Sequence, residues 1–219
     1  SGSKVVVLTP AMAERLMPAL AELVGDDVTF VSVCGEVEGA QSLDALAAEQ
    51  SPDPIPGALE GTDMLYSSGT TGRPKGVLRQ LTGQPLGTSA GLGLLGELLM
   101  GMSTESVYLS PAPMYHAAPL KWSIESIALG ASVVLMERFD PEAVLSAIET
   151  HRVTHAQFVP TMFVRMLKLP KDVRDRYDVS SLVGVIHAAA PCPPDVKRQM
   201  IDWMGPIINE YYAGTEGSG

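Results

Sequence analysis

Apolar residues along this chain fall into short continuous runs that alternate with stretches where they return every three or four positions. Short runs bounded by turn residues predict buried strands, and the three-to-four spacing predicts helices with one apolar face. Val5-Val6-Val7-Leu8 is the first such strand. Thr9-Pro10 then opens a helix, Thr9 placed to cap its free N–H groups and Pro10 at the first helical position. Leu16, Leu20, Leu23 and Val24 form its apolar stripe, and Gly25 ends it. Residues 29–33 read as a second strand and residues 42–49 as a short helix.

Ser51-Pro52-Asp53-Pro54-Ile55-Pro56-Gly57 breaks both patterns, because proline withholds its N–H and ends helices and central strands alike. It marks a soft internal boundary near residues 51–61. Beyond it the alternation resumes. Strands are expected at 64–66, 77–79, 106–109, 132–136, 156–159, 182–186 and 207–212. Helices are expected at 84–102, at 119–129, from Asp140-Pro141-Glu142 onward with Val144, Leu145 and Ile148 inward, at 161–168 and at 194–204. This spacing predicts an α/β fold of mostly parallel sheet flanked by helices. No internal repeat at a fixed period is present.

Composition then excludes several classes. A chain that is 46% hydrophobic and 18% charged folds around a core and is not disordered. Its 219 residues suffice for one good core or two small lobes. The formal net charge is −10 with no Lys/Arg run to offset it, which argues against a nucleic-acid surface. Cys34 and Cys192 fit no metal spacing and read as reduced thiols of a cytoplasmic protein. No run reaches the roughly 18 to 20 apolar residues of a transmembrane segment, and the start lacks the basic-then-apolar form of a signal peptide. The chain opens without Met, so it is expected to begin inside a longer protein.

The chemistry concentrates in Tyr66-Ser67-Ser68-Gly69-Thr70-Thr71-Gly72-Arg73-Pro74-Lys75-Gly76. Ser67, Ser68, Thr70 and Thr71 bring hydroxyls. Gly69, Gly72 and Gly76 let backbone N–H groups approach an anion closely. Lys75 adds a movable positive charge, and Arg73 a second. Ser/Thr/Gly runs are ordinarily solvated turns, but a plain turn has no need of hydroxyls, glycines and a lysine together. The pattern reads as a polyphosphate cradle. It is not the Gly-x-x-x-x-Gly-Lys-Ser/Thr loop of P-loop proteins, because Lys75 precedes the last glycine and Pro74 stands before it.

These residues resemble the signature loop of the adenylate-forming (AMP-binding) superfamily, which includes acyl-CoA and aryl-CoA synthetases and peptide-synthetase adenylation domains. Three further segments agree in order: Pro113-Met114-Tyr115-His116, His187-Ala188-Ala189-Ala190-Pro191 and Tyr212-Ala213-Gly214-Thr215-Glu216, similar to that family's Tyr-Gly-x-Thr-Glu. The resemblance spans essentially the whole chain. It implies that Ser67, Ser68, Gly69, Thr70, Thr71, Gly72 and Lys75 hold the β- and γ-phosphates of ATP. It implies that Ala189, Ala190 and Pro191 flank the adenine and that Tyr212 stacks on it. Thr215 is implied as a hydroxyl donor to the α-phosphate, Glu216 as a ligand of Mg2+, and His116 as the group between the ATP site and the acyl pocket. Ala213 departs from the pattern, since glycine is usual there. His151, His155 and His187 are read as structural.

The implied activity is ATP-dependent conversion of a carboxylic acid, expected to be a fatty or other hydrophobic acid, to an acyl-adenylate and then to a thioester with coenzyme A. The alternatives are an adenylation domain serving a carrier protein and a non-catalytic ATP-binding domain. The resemblance makes residues 1–219 a partial N-terminal domain, with the C-terminal domain that carries a catalytic lysine lying beyond Gly219. This chain alone is then expected to be inactive, and exposed sheet faces are expected to drive a homodimer or swapped assembly.

Overall fold

The computed structural model describes residues 2–25, 27–67, 72–88 and 91–214. The chain divides into two compact units, Ser1–Ala58 and Leu59–Gly219.

In the first unit, strand β1 (Val5–Leu8) leads into helix α1 (Pro10–Leu23), and β2 (Thr29–Ser32) and β3 (Gln41–Ser42) complete a parallel sheet in the order β1-β2-β3 before α2 (Leu43–Ala48). The Thr9 hydroxyl accepts from the Met12 N–H at 3.4 Å, as the capping pattern predicts. Two expectations change here. β1 is not buried along its length: Leu8 is buried, while Val5 and Val7 are exposed. Successive strand residues face opposite sides, and a continuous apolar run is buried only where both sides are covered. The inward face of α1 runs through Ala13, Met17, Leu20 and Val24, leaving Leu16 and Leu23 outside. Both sets fit helical spacing, so only packing separates them. β3 is too short to carry a periodic signal.

The second unit opens with an antiparallel hairpin, β4 (Met64–Ser67) and β5 (Lys75–Leu78), in which Ser67 faces Lys75 and Tyr66 faces Gly76. A Cβ at Gly76 would run into the Met64 methyl and stand 3.2 Å from the Tyr66 ring, so a larger residue there would displace the Met64 side chain. Among the named strands of the described residues, the hairpin is the antiparallel pair, and an isolated antiparallel bridge joins Leu59 to Pro85. Helix α3 (Leu92–Met100) is shorter than the expected 84–102. Gly87 and Gly91 adopt φ of 85° and 57°, outside the right-handed helical region, and the stretch before Gly91 turns at Pro85–Thr88 instead.

The main sheet is entirely parallel, in the order β10-β9-β8-β6-β7. In chain order its elements are β6 (Val107–Ser110), α4 (Ala117–Ala128), β7 (Ser132–Leu135), α5 (Pro141–His151), β8 (His155–Phe158), α6 (Pro160–Leu167), α7 (Lys171–Arg174), β9 (Gly184–His187), α8 (Pro194–Met204) and β10 (Ile208–Glu210). Prolines open α5, α6 and α8, and the Asp140 carboxylate accepts from the Glu142 and Ala143 N–H groups at 3.1 and 2.9 Å. Leu109, Ala156, Phe158 and Val185 turn to one face and pack with Val144, Leu145 and Ile148 of α5, Phe163 and Met166 of α6 and Met200 of α8. Tyr108 and Ile186, one position along, turn to the other face with Trp122 of α4.

Two histidines sit inside this sheet. His155 places Nε2 2.9 Å from the Met100 carbonyl and Nδ1 2.9 Å from the Thr154 hydroxyl, joining β8 to the end of α3. Burial pushes its pKa down, opposed by that carbonyl. His187 is fully buried, its ring centroid 5.4 Å from that of Phe163 with the rings edge to face, and neither ring nitrogen has a hydrogen-bond partner among the described residues.

Candidate active site

From β6 the chain crosses through α4 to β7 on one side, then returns through α5 to β8 on the other side of β6. The strand order therefore reverses between β6 and β8. In open parallel sheets, crevices form beyond the carboxyl ends of the strands at such a reversal. A cleft of about 630 Å³ lies there. Ala112 follows β6, Phe158 ends β8 and Val159 follows it, Ala188 and Ala189 follow β9 and Tyr211 follows β10, and all of them line it. One face of α4 forms a long wall, from His116 at its N-cap through Lys121 and Glu125 to Ala128.

Two lining residues, Gln157 and Tyr211, join a hydrogen-bonded network with the buried Trp122 and Tyr108 behind them. Trp122 donates its indole N–H to the Tyr211 hydroxyl at 3.2 Å, and the Gln157 amide donates to the same oxygen at 3.4 Å. The Tyr108 hydroxyl donates to the Gln157 carbonyl at 3.4 Å. Burial pushes both phenols up in pKa; Tyr211 raises Tyr108 further, while the indole donor partly offsets the effect on Tyr211. Both stay protonated at neutral pH. On the α4 wall, Lys121 pairs with Asp63 at 2.5 Å, both side chains largely buried. Burial raises the pKa of Glu125, Lys121 opposing and Glu60 reinforcing the shift.

His116 and Ala189 are brought to this one cleft, with Ala213 and Gly214 beside them. His116 is exposed, its ring centroid 4.5 Å from that of Tyr115. Ala189 adopts φ 73°. A left-handed non-glycine residue costs of order 1 kcal/mol and persists where its surroundings hold it. It turns the chain sharply off β9, leaving Ala190 and Pro191 exposed beyond the rim. Tyr212 is 95% exposed just past β10, while its neighbour Tyr211 lines the cleft. Gly72 and Lys75 lie on the β4–β5 hairpin outside the cleft lining, both exposed, with Gly72 at φ 82°. Arg79, just after β5, does line the cleft. The Ser67 backbone ends β4. Ser68, Gly69, Thr70, Thr71, Thr215 and Glu216 lie outside the described residues. Among the described residues no three His, Cys, Asp or Glu side chains gather as a metal cage, and no helix is long and apolar enough to cross a membrane.

Sequence reading missed Tyr211, Gln157, Trp122, Lys121 and Glu125. Gln157 sits within an apolar strand run, where a lone polar residue is the available signal, while Tyr211 follows the polar pair Asn209-Glu210 and stands beside a second tyrosine, with nothing in the sequence to separate the two. Lys121 and Glu125 are one helical turn apart on a mixed surface, indistinguishable from an ordinary solvated pair.

The AMP-binding enzyme family model matches residues 1–219. The chain is 38% identical over 201 residues to a 4-coumarate–CoA ligase 5 of Oryza sativa subsp. japonica, covering 87% of this chain and 35% of that protein. It is 33% identical over 220 residues to a feruloyl-CoA synthase of Amycolatopsis sp, covering 100% of this chain and 40% of that protein. The ATP-bound crystal structure of MatB from Rhodopseudomonas palustris superposes with a TM-score of 0.70 at 27% identity, covering 98% of this chain and 41% of that one. The chain thus spans well under half the length of these relatives. Its parallel sheet, the cleft at the strand reversal and the whole-length match together make this chain a member of the AMP-binding enzyme family.

Proposed function

We propose that the protein carrying this chain activates a carboxylic acid with ATP and transfers the acyl group to coenzyme A. A carboxylate oxygen attacks the α-phosphorus, the bond to the bridging β-phosphate oxygen breaks, and pyrophosphate leaves. The coenzyme A sulfur then attacks the acyl carbonyl and AMP departs. The observation that carries this reading is the single cleft that His116 of the α4 wall shares with the Ala188-Ala189 strand end. One end suits a purine, with Tyr212 exposed for stacking and small alanines permitting close approach. The wall leading away along α4 suits an acid. Ser67, Ser68, Gly69, Thr70, Thr71, Gly72 and Lys75 are assigned to the β- and γ-phosphates, Thr215 to the α-phosphate and Glu216 to Mg2+, which offsets triphosphate charge. Work at such a centre is chiefly positioning and charge stabilisation.

The cleft lining includes Leu92, Ile124 and several alanines, which favours an acid with a hydrophobic body. A fatty acid is one such acid. An aryl acid is the other, and the names of the 4-coumarate and feruloyl relatives favour it. Since ATP and coenzyme A are both abundant in the cytoplasm, we place the reaction there. The test is pyrophosphate release by the whole protein over a panel of alkanoic and aryl acids, with and without coenzyme A. Acid-dependent release with formation of a thioester is expected. Adenylate without consumption of coenzyme A would favour delivery to a carrier protein. ATP binding with no turnover on any acid would leave a non-catalytic ATP-binding domain.

A further inference from the structure

Resting on that reading, the α4 wall carries an observation about which acid is taken. Two carboxylates, Glu60 and Glu125, line this part of the cleft, and a third, Asp63, is beside Lys121. Asp63 is paired with Lys121, and Glu60 accepts from the Gly87 N–H at 2.5 Å. Glu125 lines the cleft, is partly buried, and accepts no hydrogen bond from any described residue. The ammonium nearest to it in sequence, Lys121 one turn earlier, is held by Asp63. Space for the Glu125 carboxyl is supplied by Gly93 of α3: a Cβ there would stand 2.5 Å from Oε2. The site thus keeps a partly buried carboxylate at the cleft lining, beside Gly93 of α3, with the charge of Lys121 near it but no hydrogen-bond donor from the described residues.

Position along the helix says what it would meet. His116 caps α4 and Glu125 follows nine positions later, so their backbones are about 13.5 Å apart along the axis at 1.5 Å per residue. An acid whose carboxylate is turned toward His116 would bring its far end to Glu125, past the apolar Ile124 and Leu92. We propose that Glu125 is a specificity-determining residue: its carboxylate accepts a hydrogen bond from a hydroxyl or amino group on the tail of the bound acid, so acids carrying such a donor are preferred over wholly apolar acids of equal length. A buried polar group built to be bonded rejects a ligand that leaves it unpaired.

The experiment uses the whole protein and matched pairs of acids: cinnamic acid against its ring-hydroxylated form, and a medium-chain alkanoic acid against its terminally hydroxylated form. The readout is kcat/KM for acid-dependent pyrophosphate release. With the native enzyme the hydroxylated member of at least one pair is expected to be favoured by about 10- to 100-fold, the worth of one hydrogen bond to a charged acceptor. In Glu125→Leu that ratio falls toward one, through loss of the hydroxylated acid and retention or gain of the plain one. Glu125→Gln, which keeps an acceptor oxygen and the side-chain shape, retains part of the preference and serves if the leucine variant does not fold. An unchanged ratio in either folded variant overturns the assignment while leaving the acid-activating reading intact. Absence of turnover with every acid removes both.

Discussion

The Trp122 indole N–H and the Tyr211 hydroxyl meet at 3.2 Å, ring centroids 6.1 Å apart and nearly edge-on. This contact ties α4 to the chain leaving β10 across 89 positions of sequence and makes one network with Gln157 and Tyr108.

Tyr211→Phe removes the acceptor of two donors and leaves the Trp122 N–H and one Gln157 N–H without it. The expected loss is about 1–2 kcal/mol of stability, read in urea unfolding followed by tryptophan fluorescence. A midpoint within error of the native chain would mean that water replaces the phenol and the network is not closed.

His187 sets a pH dependence. Burial holds its folded pKa below the ordinary imidazole value near 6.5, the Glu210 carboxylate 3.8 Å away opposing and Lys197 reinforcing the shift. As pH falls below about 6.5, the unfolded imidazole binds its proton first, so stability present above that pH is lost as the pH drops through the folded value. His155, also depressed, acts in the same direction. Glu210, held down chiefly by its hydrogen bond from Lys197, adds a separate loss in the carboxylate range. In His187→Leu, which removes two unpartnered nitrogens, thermal melts are expected to match or exceed the native chain at pH 7 and to exceed it clearly at pH 5.5. A larger fall in Tm on acidification than in the native chain would contradict this.

Gly184→Ala tests how tightly the β8–β9 contact is built. The added methyl would lie 2.9 Å from His155 Cδ2, and that ring is pinned by the Met100 carbonyl and the Thr154 hydroxyl. Overpacking of this kind costs about 1–3 kcal/mol. Pairing it with His155→Ala should recover part of the loss in a double-mutant cycle; strictly additive effects would show that the ring is not what the methyl meets.

Expressed by itself, this 219-residue chain is expected to show no acid-dependent exchange between ATP and pyrophosphate, and to self-associate. Leu94, Leu95, Leu98 and Leu99 on α3 and Ile124 and Ile127 on α4 are exposed, a contiguous-helix distribution that favours apolar association. Light scattering at rising concentration checks the second point. A monomer throughout, or measurable exchange, would overturn the respective expectation.

Much of the second unit was legible without coordinates. The α5 start at Asp140-Pro141, the strand ended by Pro160 and the alternation that implies a parallel sheet rest on local chemistry: a side chain able to cap, a ring that withholds an N–H, a period of two or of 3.6 residues. The glycine-rich segment stands out in the sequence because hydroxyls, glycines and Lys75 are contiguous, and its phosphate role belongs to the proposed function. What local chemistry cannot carry is which of two acceptable faces is covered. Leu16 and Leu20 are equally helical, and packing buried Leu20 more than Leu16. Val5 and Leu8 lie in one run, and only Leu8 went in. The strand order that opens a crevice beyond β6 and β8, and the convergence of Trp122, Gln157 and Tyr211 in one network, depend on contacts 54 to 89 residues apart. Glu125 is the sharpest case: its sequence neighbourhood reads as a solvated helix face, and only the fold turned that face into a cleft wall and paired Lys121, one turn earlier, with Asp63.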